Sequence, residues 1–243
     1  MTGRTRVAFA VVTGLLGFAA AASAQVPGLP LFTNPRYGTG LRVHADFGQP
    51  TDQGTSIGKL TIIQGGVSFA LGPIGFDVSA AMPKEQLSSA QGCIKTQTLD
   101  CSSQKYSAAA LLQLRVLGGG ANPLALSAFG GASMDITGYD AAALDQGTGK
   151  LPKELNIPVG VAVGFHTPFG LNLWGAPRLN LSCVVNSGLT CPSGARKFRW
   201  AVGADYPILG ILSLRAAYDS GKYSGVTVNY WGVGASIGLG GMR

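Results

Sequence analysis

The stretch "IPVGVAVGFH" at 157–166 sends Ile157, Val159, Val161, Val163 and Phe165 one way and Pro158, Gly160, Ala162, Gly164 and His166 the other. Successive side chains leave a strand on opposite faces, so this period of two is the period of a strand and not of a helix. Nine further segments, at 40–48, 62–71, 76–80, 106–116, 124–136, 171–181, 198–206, 211–219 and 226–239, read as strands, with 124–136 the least regular because it is small and glycine-rich. Short Pro- or Gly-centred turns follow every second strand, in "GPIGF" (72–76), "NPLAL" (122–126), "TPFGL" (167–171) and "YPILGIL" (206–212). Longer, more polar segments fill the other gaps, as in "PKEQLSSAQGCIKTQTLDCSSQ" (83–104) and "TGYDAAALDQGTGKLPKEL" (137–155). A sheet that runs up and down and closes on itself gathers all turns of one kind at one rim, which is this rhythm. Pro177 within 171–181 predicts a bulge or a break in the ladder.

The direction of the wall follows from what is scarce. Charged residues make up 12% of the chain, about half the usual share of roughly 25%. The face opposite the bulky aliphatics is mostly Gly, Ala, Ser and Asn with a few Arg and Asp, too sparsely charged for a solvated exterior of ten strands. It suits a narrow interior, with the aliphatics turned to lipid. After residue 24 no run of about 18 apolar residues exists to form a spanning helix. Strands of about eleven residues at about 3.3 Å each, tilted by about 40°, cover roughly 28 Å, against an apolar band of about 25 Å. Phe47, Tyr106, Phe198 and Tyr218 fall toward the longer segments and Phe76, Phe165, Phe169 and Tyr206 toward the short turns, as two aromatic girdles would. The predicted fold is an all-β, closed, up-and-down antiparallel transmembrane barrel of about ten strands, with eight or twelve as the neighbouring counts.

The amino-terminal 24 residues combine a basic start (Arg4, Arg6), an apolar centre and "ASA" before Gln25. That order predicts a secretory signal peptide over 1–24 with cleavage between Ala24 and Gln25, then a periplasmic segment over 25–36 and the barrel over 37–243. Without Arg4 and Arg6 the charges are 16 basic against 11 acidic, a scattered net of +5 with no dense Lys/Arg run of the nucleic-acid kind. Cys93/Cys101 and Cys183/Cys191 repeat one spacing, each pair across a polar loop. Four cysteines allow three pairings; the two local disulfides are favoured, and export supplies the oxidising compartment. Zinc is disfavoured because neither pair has CxxC spacing or a neighbouring His.

Over residues 37–239 the chain resembles the small outer-membrane β-barrel proteins of Gram-negative-type bacteria, in its leader, its alternating strands and its short-turn, long-loop order. The resemblance implies residence in the cell outer membrane, short turns and both termini on the periplasmic side, and long loops outside. It also implies contact with outer-membrane lipid, lipopolysaccharide included, and with the barrel assembly machinery, as a monomer. Such barrels commonly end in an aromatic residue, where this chain ends "SIGLGGMR".

The inward polar candidates are Arg42, His44, Asp46, Asp77, Gln113, Arg115, Arg178, Asn180, Arg199, Asp205, Arg215 and Asp219. Arg and Asp in a narrow interior satisfy one another across strands, which predicts a structural or passive surface protein with disulfide-stapled loops and no enzyme chemistry, metal or cofactor. A charged constriction that selects small solutes is the alternative. A second alternative is a hydrolase at the outer rim, in which His44 polarised by Asp46 activates water.

Overall fold

The computed structural model describes residues 34–35, 39–51, 59–86, 102–104, 106–119, 122–136, 153–185, 188–191, 196–208, 210–223 and 226–239. Ten long strands form the wall: β1 (Gly40–Pro50), β2 (Lys59–Leu71), β3 (Ile74–Gln86), β4 (Ser107–Gly119), β5 (Asn122–Asp135), β6 (Lys153–His166), β7 (Asn172–Val185), β8 (Arg196–Pro207), β9 (Leu212–Tyr223) and β10 (Val226–Gly238). Each pairs antiparallel with its chain neighbours, and β10 pairs with β1, so the sheet has no free edge along its length. Two short ribbons, Ser102–Gln104 on β3 and Leu189–Thr190 on β7, lie at the long-loop rim.

The wall is inverted relative to a water-soluble sheet. Leu71, Ile74, Leu114, Val159, Leu179 and Val233 are exposed on the outside, while Gln64, Ser68, Ser127, Ala162 and Ala201 are buried within. In hydrocarbon every backbone donor and acceptor must be met by the chain itself, and a closed ladder meets them. Outward aromatics gather at the long-loop end of β8, β9, β10 and β1, where Trp200 packs on Tyr218 at 5.7 Å and Phe47 on Trp231 at 6.0 Å between ring centres.

Two local features differ from the sequence reading, and at Pro177 one of its two alternatives, a break, is met. Seven strands, β1 to β3 and β6 to β9, run further at the long-loop end, because polar residues above the apolar belt keep pairing without alternating. On β9 and β10 pairing reaches Tyr223↔Val226, so that connection is two residues long and the strict alternation of short and long connections fails there. Pro177 costs the ladder its pairs toward β6 near residues 176–177 but leaves the register unchanged on both sides, so it makes a break and no bulge. The bulge lies in β4, between Arg115 and Gly119, where Gly118 and Gly119 take φ of 84° and 112°. Those values strain a residue bearing a Cβ.

Candidate functional site

The interior is built in rows, since partners across an antiparallel ladder lie side by side at about 4.8 Å spacing. One row runs Asp205 (β8), Arg215 (β9), Gly234 (β10), Asp46 (β1) and Gln64 (β2). Arg215 reaches Asp46 over the bare backbone of Gly234; its Nε donates to Asp46 Oδ1 at 2.5 Å and its Nη2 to Asp46 Oδ2. A Cβ on residue 234 would collide with the Asp46 carboxylate. His44, two positions along β1, closes the group. Its Nε2 lies 2.9 Å from Asp77 Oδ2, and its Nδ1 lies 3.0 Å from Asp46 Oδ2 and 2.7 Å from Arg215 Nη2. That reach from β1 to β3 passes over Gly66, where a Cβ would meet the imidazole.

A second group stands nearer the long loops. Arg178 (β7), Arg199 (β8) and Gly221 (β9) share a row, and Asp219 is the next inward residue of β9. Arg199 donates to Asp219 Oδ1 through Nε at 2.9 Å and through Nη2, and its guanidinium lies 5.8 Å from the centre of the Tyr230 ring. Arg178 donates to Asp219 Oδ2 through Nη2 alone, while its Nε and Nη1 have no partner among the described residues. Along β9 the two groups are four residues apart, about 13 Å of strand.

Apolar side chains fill much of the rest. Leu111, Phe129, Ala162, Trp174, Ala176 and Ala201 pack together inside β4 to β8. Trp174 Nε1 donates to Asp205 Oδ2 at 2.9 Å, and Asn34 Nδ2 donates to the same oxygen at 2.5 Å. Asn34 and Pro35 therefore stand inside the wall, with Pro35 buried against the backbone of Gly164. They are the described part of the segment 25–36, which the sequence placed in the periplasm.

The candidates fall as follows. His44, Asp46, Asp77 and Arg215 join in one group, and Arg178 and Arg199 in the other. Asp205 sits in the first row, bound to Trp174 and Asn34, and Arg42 is inward and half-buried near the short-turn end of β1. Arg115 stands apart at the short-turn rim, beside the β4 bulge, and donates to the Gly72 carbonyl at 2.7 Å. His44 and Asp46 are mid-strand and tied to the short-turn halves of β3 and β9, away from the outer rim where the hydrolase reading had put them. Both nitrogens of His44 face protein partners, and the residue is 3% exposed. Cys183 and Cys191 form a disulfide across the Val185↔Leu189 hairpin. Cys93, Cys101 and the cleavage pair Ala24 and Gln25 lie outside the described residues. Asn34, Pro35 and Tyr230 escaped the sequence reading. Tyr230 carried a signal, because the even positions of β10 (Gly232, Gly234, Ser236) are the small, inward set.

A closed sheet, an apolar outer belt and buried ionic rows are now established together. The architecture is that of a small outer-membrane β-barrel. Solved structures with similar barrels include the translocator domain of the autotransporter NalP from Neisseria meningitidis, with 16% identity over 97% of this chain and 98% of that one and a TM-score of 0.43. The β domain of the Bordetella autotransporter BrkA matches at 11% identity over 82% of this chain and 99% of that one, with a TM-score of 0.47. The porin NanC matches at 11% identity over 82% and 100%, with a TM-score of 0.42. No protein-family model and no curated protein matches the chain.

Proposed function

We propose that the barrel serves the bacterial outer membrane as a solute-tight, structural or passive surface protein, with its short turns toward the periplasm and its disulfide-stapled loops outside. The observation that carries this reading is the state of the inward charges. Asp219 is 0% exposed, Asp77 1% and Arg178 2%. Asp46 with Arg215 and Asp219 with Arg199 and Arg178 pair across strands, while Arg178 Nε and Nη1 and Asp77 Oδ1 are buried without a partner among the described residues. A conducting path needs water against its polar lining, because an ion or solute crosses by exchanging its hydration shell for wall groups. Here those groups are turned to each other, with Phe129 and Trp174 beside them. Purified barrel in planar bilayers is expected to give no conductance steps above the lipid baseline. Discrete steps of reproducible size would overturn the reading.

One observation favours the narrow-pore alternative. Asn34 and Pro35 fill part of the interior, with Asn34 bonded to Asp205 and Pro35 in contact with Gly164, and neither belongs to a strand of the wall. A variant lacking residues 25–35 that conducts where the full chain does not would make this segment a stopper and the barrel a gated pore.

A further inference from the structure

Charge is divided unequally over the outer face of the wall. Lys84 on β3, Lys153 on β6 and Arg196 on β8 each occupy an outward position at the long-loop end of their strands. Each heads an apolar column: Met82, Val78 and Ile74 below Lys84, Val159, Val161 and Val163 below Lys153, and Phe198, Trp200 and Val202 below Arg196. Among the described residues no acidic side chain shares that outward face; Glu154, next to Lys153, has inward parity. The short-turn rim is different. Leu71, Ile74, Phe169, Ile211 and Leu239 are exposed there, with Phe169 at 85%. From Lys84 to the Gly72–Pro73 turn is about 30 Å along the barrel axis at a tilt of about 40°, so the cations and the turns flank an apolar band of about 25 Å.

We infer that Lys84, Lys153 and Arg196 form a collar that binds the phosphate groups of lipid in the leaflet at the long-loop rim. Cations held at headgroup depth, with their stems along the apolar wall, meet phosphate oxygens, and the Arg196 guanidinium does so through a fork of donors. Cations that were there merely to reach water would be as useful at either rim. Among the described residues the outward cations stand at the long-loop rim, while Arg115, at the short-turn rim, has inward parity and donates to the Gly72 carbonyl. The inference rests on the transmembrane reading of the barrel.

The chain carries its own reporters. Of its three tryptophans, Trp200 and Trp231 face outward toward the long loops and Trp174 faces in. Barrel reconstituted in phosphatidylcholine vesicles is titrated with brominated phosphatidic acid or, in parallel, brominated phosphatidylcholine, and tryptophan quenching is read. Phosphatidic acid is expected to be preferred at least tenfold, and the preference is expected to fall to near one in the triple variant Lys84→Gln, Lys153→Gln, Arg196→Gln and in high salt. Equal quenching of the wild type by both lipids would overturn the collar while leaving the lipid-facing wall intact. A preference retained by a folded triple variant would also overturn it. Quenching by neither lipid would defeat the transmembrane reading itself. Should the variant not fold, the wild-type comparison still decides.

Discussion

Asp46 and Asp219 each hold an arginine from another strand, and the bare backbone beside them makes this sterically possible. Removing one member of such a buried pair strands the other charge, at a cost of about 3–5 kcal/mol, whereas replacing both by apolar groups is close to neutral. Asp46→Asn is therefore expected to lower the unfolding free energy by that amount, and the double variant Asp46→Leu, Arg215→Met to recover most of it. Urea titration of the refolded barrel in detergent micelles checks both. The two arginines on Asp219 are unequal, since Arg199 gives two hydrogen bonds and lies by Tyr230 while Arg178 gives one. Arg199→Met is expected to cost at least 1 kcal/mol more than Arg178→Met in the same titration. The parity of these residues was legible in the sequence, because each sits among small or polar neighbours at every second position. Their pairing was not. Which inward residues share a row depends on the stagger of the closed sheet, which no single strand encodes, so Gly66 and Gly234 could not be recognised as gaps.

The hairpin at the end of β7 shows how a loop with an exposed tip at 188–191 is held. Leu189 is exposed, and the ribbon there has only two ladder pairs, Val184↔Thr190 and Val185↔Leu189. Cys183–Cys191 closes it, with a sequence separation of 8. A ring of that size removes at most about 2.5 kcal/mol of chain entropy from the open state. Replacing both cysteines by serine is expected to raise proteinase K cleavage between residues 183 and 196 about tenfold or more. The heat-modifiable gel mobility of the folded wall is expected to stay unchanged. Loss of that mobility would mean that the disulfide holds the wall and not the loop. The ten strands were readable because apolar side chains facing lipid must alternate with small ones. Their long-loop ends were not, since above the belt the ladder continues through polar sequence such as "SGKY" on β9 with no pattern to mark it. "TNPRYG" before β1 has no period either, so the entry of Asn34 and Pro35 into the interior left no trace in the sequence.

For the molecule as a cylinder, the proposed role requires an interior that is both ionic and shut. If so, the bilayer measurement gives silence from the wild type, and single charge reversals at Asp205 or Arg42 fail to open a path because the aromatic side chains remain. A current in either variant would show that charge alone keeps the interior closed. The bond from Arg215 to Asp46 has one more consequence, because it spans β10 and so straddles the junction between the first strand and the last. Until those strands meet, Asp46 and Arg215 belong to opposite margins of an open sheet, each facing hydrocarbon or water without its mate. The final act of assembly thus releases the penalty on two bare charges at a stroke, and the pair works as a clasp that fastens only when the correct register has arrived.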